Sequence, residues 1–484
     1  MKSAPHWEKI GLSPHHGICL PLSALRTKKS CGIGEFLDLI PLIDWSKSLK
    51  LDCIQLLPLN DSGDDASPYN PLSSCALDPI YLSLSHFGVS PEPFLSLTRQ
   101  PRVSRQEVLQ KKIECLCPLF EQTFSALSKT SAYQTFLGEN RWLISYSPFK
   151  ASKQTGASST QSNPDFYTFL QFHCFSQMER VSAHARQQGI HLKGDIPILL
   201  SPDSADVWAH PTLFRLDLDA GAPPDLYNPL GQKWGFPLFN WDAMRKENFS
   251  WWKQRLRVVE RFFSIYRIDH VVGFFRIWGI PKGKKATEGT FIPPDPSDWF
   301  VQGKELLEKM LESTPLLPIA EDLGTIPKEV YPILKELGIC GTKVIRWQRR
   351  GESYIPFSEY EPLSMTTLST PDMEPLELWW KKYPAESVPF AAFMKWDYHP
   401  ILTHKQRLAI LHAAHHTSSF FHINLLQEYL ALFPELSWPT PEEERINVPG
   451  TLLPTNWTYR FRPFLEEMIA HRGLAECFEK IVCN

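Results

Sequence analysis

Residues Met244–Asp269, MRKENFSWWKQRLRVVERFFSIYRID, decide the fold. Through Phe263 the apolar positions recur at helical spacing. Ile265–Asp269 is then a short apolar run that ends on an acid. A helix feeding at once into a short buried strand is the unit of a parallel α/β structure. The same unit recurs along the chain. Strands are expected at Gly17–Leu22, Cys53–Pro58, Leu192–Leu199, Leu317–Glu321 and Thr342–Ile345, with two more between Ser364 and Leu426. Helical patterns lie between several of them, at Glu35–Lys50, Asp165–Gln188, Gly303–Glu312 and Pro327–Leu337. So many parallel units on one chain predict an α/β fold, a closed (β/α)8 TIM barrel with helical and irregular insertions.

Two stretches break the rhythm. Residues from about 88 to 163 carry helical patterns at Ser104–Ser128 and Ser131–Phe136, then a polar, loop-like tract at Lys150–Asn163. Asp203–Asp242 is rich in Pro, Gly, Asp and Trp and reads as irregular. A long irregular segment after a strand end is where barrel enzymes build substrate sites. With no internal repeat and no convincing linker, residues 1–484 are expected to form one catalytic barrel domain.

Composition narrows the classes of partner. Hydrophobic residues make up 43% and charged residues 21%, enough apolar material for a large core. A net charge of −3 leaves no electrostatic footprint for nucleic acid or an anionic membrane, so a neutral partner suits the chain better. Sixteen Trp and thirty Phe serve mainly as core, although aromatic faces also pack against sugar rings. The ten Cys are scattered; Cys115-x-Cys117 has no metal-ligand logic, and no metal or cofactor is expected. Reduced thiols, no apolar leader and no membrane-length run predict a cytoplasmic protein. His15 and His16 read as an exposed pair ahead of the first strand, and His415 and His416 as helix caps.

Three acids close apolar runs. Asp269 ends Ile265-Tyr-Arg-Ile-Asp269, and strand alternation puts Arg267 on its face, where a guanidinium keeps a carboxylate ionised and oriented. The alternative is a structural Arg–Asp pair. Glu321 ends Pro318-Ile-Ala-Glu321, with Gly324 free to turn the chain; it could donate a proton or cap the helix that follows. Asp372, in Leu368-Ser-Thr-Pro-Asp372, could hold a substrate ring or mark a turn. The ordered set is more specific than any member.

The chain resembles the 4-α-glucanotransferases of the amylomaltase and disproportionating-enzyme family, glycoside hydrolase family 77, nearly end to end. The resemblance is carried by Gly17-Ile-Cys-Leu-Pro-Leu-Ser-Ala-Leu, Gly32-Ile-Gly34, Gln55-Leu-Leu-Pro-Leu, Ser67-Pro-Tyr69, Gly194-Asp195-Ile-Pro-Ile and Asp203-Ser-Ala-Asp-Val-Trp208-Ala-His-Pro. It continues through Gly221-Ala-Pro-Pro-Asp225, Trp234-Gly-Phe-Pro, Arg267-Ile-Asp-His270, Ala320-Glu-Asp-Leu-Gly324 and Asn447-Val-Pro-Gly-Thr451. Trp234-Gly-Phe-Pro-Leu-Phe-Asn-Trp and Gly273-Phe-Phe-Arg-Ile-Trp278 look nearest to the cytosolic plant type, without its starch-binding modules or its long insertion between Asp269 and Glu321.

The resemblance implies a retaining transfer of glucosyl or maltodextrin units from α-1,4-glucan donors to glucose or maltooligosaccharide acceptors. Asp269 would be nucleophile, Glu321 general acid/base and Asp372 transition-state stabiliser. Tyr69, Asp195, Trp234, Arg267, His270 and Asn447 would contact substrate. Asp195 could instead only pair with Arg267, and Trp234 could be a packed indole. One departure stands out: the family usually has histidine before the third aspartate, where this chain has Pro371. A hydrolase on the same barrel and a weakly active glucan-binding protein are the competing readings.

Overall fold

The computed structural model describes residues 1–153, 158–224 and 229–483. Eight parallel strands form one sheet: β1 (His15–Leu20), β2 (Cys53–Leu56), β3 (His191–Ile196), β4 (Ile265–Ile268), β5 (Leu317–Ala320), β6 (Gly341–Val344), β7 (Ser364–Thr367) and β8 (Phe421–Leu425). Each pairs with its neighbours in chain order, β1 pairs with β8, and a bridge between Ile319 and Cys340 joins β5 to β6. The sheet therefore closes on itself, the (β/α)8 barrel expected from the alternation. Its strands are buried almost throughout, as a sheet covered on both faces requires. Gly194 in β3 has a positional reason: a β-carbon there would lie 2.6 Å from the ring of Phe263, which packs beneath the strand.

The helix read at Met244–Phe263 is two helices, Trp241–Lys246 and Ser250–Glu260. Asn248 and Phe249 between them take left-handed φ values of 50° and 55°. The helix before β5 is longer than its pattern suggested, Pro296–Ser313, because Asp295 caps it beyond the apolar stretch. The one after β5 starts later, at Val330.

Both insertions are ordered in the described residues. Arg105–Leu127 and Ser131–Glu139 pack phenylalanines such as Phe120, Phe124 and Phe136 against the long helix Pro164–Gln188. Lys112 anchors the first of them: its ammonium is fully buried, 2.6 Å from Glu35, and also donates to the carbonyls of Ile80 and Leu82. The tract expected as loop from Lys150 is helical at its start, since Leu143–Ser152 is a helix and Lys150 pairs with buried Asp61 at 2.8 Å. Residues 154–157 of that tract lie outside the described residues. The stretch expected as irregular holds a helix, Ala205–Ala209, a short antiparallel pair, Phe214–Arg215 with Leu238–Phe239, and two further strands, Leu218–Ala222 and Gln232–Lys233. The latter two join Ile277–Pro281 and Thr290–Ile292 in a four-stranded antiparallel sheet. The pairing of Leu218–Ala222 with Ile277–Pro281 joins residues far apart along the chain, which no local pattern displays.

The histidines correct the sequence expectation. His15 and His16 lie within β1, and His15 is buried, with its Nδ1 2.7 Å from Asp52. His16 stacks on His415 and on His422, at 5.1 Å from each. His415 is buried and bonds Tyr429, so it is not a cap; only His416 bonds a last-turn carbonyl, that of His412. Burial, with neighbouring His16, holds His422 down at about 4, and burial holds His415 below the ordinary histidine value too. The unfolded chain therefore binds protons that the folded one refuses. Stability contributed by His422 is complete above pH 6.5 and is lost as pH falls toward 4, by roughly 3 kcal/mol at most. The thermal midpoint should drop across that window, and His422→Asn should flatten the slope. A midpoint insensitive to pH between 6.5 and 4 would contradict this.

Candidate active site

Asp269 follows β4 directly and Glu321 follows β5, so adjacent strands deliver both carboxylates to the C-terminal mouth of the barrel. Arg267, two residues before Asp269 on the same face, donates to it at 2.9 Å. The same guanidinium donates to both oxygens of Asp195, at 2.9 and 3.0 Å, and reaches to 3.8 Å from Glu321. One cation thus gathers three carboxylates. Asp195 ends on β3, with its side chain only 1% exposed, and its other donor is the hydroxyl of Tyr69 at 2.7 Å. The arrangement answers the alternative left open for Asp195: it does pair with Arg267, and it also fixes Tyr69.

Glu321 is placed by backbone. The chain turns sharply after Asp269, with His270 at a left-handed φ of 45°, and the His270 amide then donates to Glu321 at 2.8 Å. The Leu323 amide donates to its other oxygen at 3.1 Å, and Gly324 turns the chain away at φ 88°. The following helix begins only at Val330, so Glu321 is no helix cap. Burial pushes its carboxyl up to about 7, with Asp269 adding to the effect and Arg267 opposing it. Asp269 also accepts from the Ile198 amide at 3.4 Å. A carboxyl that holds its proton near neutral pH beside a second one bound and oriented by arginine is the pairing that acid and nucleophile roles require.

Asp372 lies beyond β7 at the exposed rim, in the turn that is its alternative reading, closed by the Met373 amide on the Thr370 carbonyl at 3.0 Å; the next helix starts only at Leu376. Asn447 donates to it at 2.6 Å, and the Asn447 amide bonds the carbonyl of Pro371 at 3.2 Å. Asn447 is itself buried and used in this contact. Trp234 is half-buried, its ring edge-on to His270 at 5.1 Å, and its indole donates to Gln232 at 3.0 Å. Burial keeps the His270 imidazole below its ordinary value, hence neutral and able to bond hydroxyls. Tyr69, Asp195, Arg267, His270, Asp269 and Glu321 are connected by these contacts; Asp372 and Asn447 make a separate pair, close enough for the charges of Arg267 and Asp269 to act on Asp372.

Two residues here escaped the sequence reading. Lys193, two positions before Asp195 on β3, is fully buried in the barrel interior, 2.8 Å from Gln55 and 3.0 Å from the sulfur of Met365. Burial lowers its ammonium to about 8. Strand alternation from Asp195 could have found it. Trp457, whose ring packs 5.3 Å from that of Tyr69, gives no such signal. Among the described residues no cluster of three His, Cys, Asp or Glu could hold a metal ion.

Known proteins are similar to this chain in sequence and in fold. A family described as 4-alpha-glucanotransferase matches residues 20–164 and 154–466. The chain belongs to the 4-alpha-glucanotransferase family. A 4-alpha-glucanotransferase of Chlamydia pneumoniae is 43% identical over 99% of the enzyme and 97% of that relative. The rice 4-alpha-glucanotransferase DPE2 (Oryza sativa subsp. japonica) is 34% identical over 55% of the enzyme and 32% of its own length. The chlamydial match thus runs the full chain, whereas the plant one is partial. The amylomaltase of Streptococcus agalactiae, solved in complex with acarbose, has the same fold, with a TM-score of 0.81 at 22% identity, covering 97% of the enzyme and 99% of that chain. The glucanotransferase therefore carries its strand-end acids on a barrel of known type.

Removing the shared cation tests how the site is held. Arg267→Met leaves Asp195 buried without its charge partner, which should cost roughly 3–5 kcal/mol in urea unfolding. Arg267→Lys should recover part of that stability but not the two-sided grip on Asp195 and Asp269.

Proposed function

We propose that the enzyme transfers glucosyl or maltodextrin segments between α-1,4-glucans by double displacement, with Asp269 as nucleophile, Glu321 as acid/base and Asp372 as transition-state stabiliser. The observation that carries this reading is Arg267, which bonds Asp269 at 2.9 Å and stands 3.8 Å from Glu321, so the two acids share one mouth and one cation. In the first step the Asp269 carboxylate attacks the anomeric carbon. Glu321 gives its proton to the glycosidic oxygen, and the C–O bond breaks as the ester to Asp269 forms. The freed end departs. The hydroxyl of an acceptor sugar then loses its proton to Glu321 and attacks the same carbon, releasing Asp269 and restoring the α linkage. Asp372, steadied by Asn447, faces the ring as positive charge develops on it.

Donors are maltooligosaccharides or longer α-1,4-glucans, and acceptors are glucose or shorter maltooligosaccharides. The insertions at about 88–163 and 203–242 belong to the same catalytic unit, which works in the cytoplasm with its ten cysteines unpaired. Trp234 and His270 stand at the edge of the acid pair, where a packed aromatic face and a neutral imidazole can meet a sugar ring. Pro371, which brings no side-chain donor to the ring, favours a slower enzyme over the family norm; it is the one feature pointing to a binding protein.

Incubation with maltotriose separates the readings. Longer oligomers together with glucose or maltose mean transfer; shorter products alone mean hydrolysis; no turnover leaves a binding protein. Glu321→Gln and Asp269→Asn should each lower kcat by about a thousandfold or more with substrate still bound. Because Glu321 must enter protonated and its carboxyl sits at about 7, kcat/KM should fall above that pH, about tenfold for each further unit. A flat profile to pH 9 would remove Glu321 from the acid role.

A further inference from the structure

The segment Ile446–Trp457 is closed on itself. The Trp457 amide donates to the Ile446 carbonyl at 2.8 Å, the Val448 amide to the Asn456 side chain at 3.1 Å, and that side chain to the Thr451 carbonyl at 2.9 Å. Its two ends each touch a residue of the catalytic mouth. At one, Asn447 holds Asp372. At the other, Trp457 packs its indole on Tyr69 at 5.3 Å and 49°. Trp457 does so from a left-handed backbone, φ 61°, a conformation that a bulky aromatic residue adopts only when its surroundings hold it there.

Tyr69 needs a wall. Its hydroxyl donates to Asp195 at 2.7 Å, and Asp195 takes the Arg267 guanidinium that holds Asp269. The Arg267 guanidinium lies 6.0 Å from the Tyr69 ring, and Trp457 also packs on that ring. Trp457 also borders a narrow, partly open hollow lined among others by Leu22, Leu57, Pro58, Val103 and Tyr459. Trp457 lines that hollow and packs on Tyr69, so the indole is the side chain that meets both.

We propose that Trp457 is a positioning residue: it keeps Tyr69 on Asp195 and closes the catalytic mouth against the neighbouring hollow, so that the Asp269-bound sugar meets an acceptor sugar rather than water. This rests on the transferase reading and explains how one barrel could favour transfer over hydrolysis. Both reactions break the same ester; they differ only in whether the attacking hydroxyl belongs to a sugar or to water, with Glu321 taking its proton in either case. Shrinking the indole frees the Tyr69 ring and joins the hollow to the mouth. Loss of orientation lowers the rate of both reactions, and the new route for water raises hydrolysis relative to transfer.

The test uses the full chain with maltotriose, scoring longer oligomers against newly released reducing ends. Wild-type enzyme that yields only shorter products removes the transferase reading, and this inference with it. Given a transferring wild type, Trp457→Ala and Trp457→Leu should lower kcat about tenfold to a hundredfold with KM little changed, and raise the hydrolysis-to-transfer ratio about tenfold. Trp457→Phe should restore most of both. Tyr69→Phe, which keeps the wall and loses the hydroxyl, should lower kcat without moving the ratio. If Ala fails to fold, as judged by its thermal midpoint, Leu and Phe decide. An unchanged ratio in the folded Leu variant, whatever its kcat, overturns the proposal, because a merely structural indole would lower activity without redirecting it.

Discussion

Arg267 carries one positive charge into a barrel mouth ringed by Asp195, Asp269 and Glu321. Four ionisable groups in such a small, poorly solvated space stay folded only if their charges are matched and their lone pairs filled. Asp195 takes the guanidinium with both oxygens and a phenol besides, so it is committed to holding the cation. Asp269 takes a single bond from the same group and keeps some exposure to solvent. Glu321 is left farther off, where burial outweighs the cation and the proton stays on longer. Glu321 thus differs from the other two in its distance from the arginine, and Asp195 differs from Asp269 in the bonds it takes and in its deeper burial.

The barrel supplies those distances. β3, β4 and β5 are neighbours in register, so Asp195 pairs across to Arg267 and Pro318–Ala320 run beside Tyr266–Ile268. Parallel strands put all their C-terminal ends at one mouth, and short turns there do the fine placement. The left-handed turn at His270 aims a backbone amide at Glu321 while leaving the imidazole against Trp234. The other half of the mouth is assembled differently. Asp372 is held by Asn447 from a segment far along the chain, and Tyr69 by Trp457 from the far end of the same segment. One half is rigid through the sheet, and the other is rigid through a closed loop laid over it.

Below the mouth, the interior is more polar than apolar strand runs suggest. Lys193 sits among Gln55 and Met365, while His16 and His422 face the other way, out of the barrel, and His16 stacks there on both His422 and His415 of the surrounding helix His404–His415. Such groups are tolerated where each is neutral or hydrogen-bonded, and burial moves them toward neutrality.

The amino-acid order by itself determined the repeating helix–strand rhythm, and with it eight parallel strands and a closed barrel. It also determined which strands end on acids, since a run such as Ile265–Ile268 followed by Asp269 is a local pattern, and alternation alone put Arg267 beside that acid. Resemblance to known sequences added Tyr69, Asp195, Trp234, His270 and Asn447. Only the tertiary structure decided what each of these touches. Tyr69 and Asp195 are 126 positions apart, and Asp372 and Asn447 are 75 apart. Contacts of that span exist only once the barrel has closed. For the same reason Trp457 looked like any loop tryptophan, His15 like an exposed residue and Lys150 like part of a polar tract. Their partners Tyr69, Asp52 and Asp61 lie elsewhere in the sequence, and it is the packing of distant strands and loops, not local periodicity, that brings them within reach.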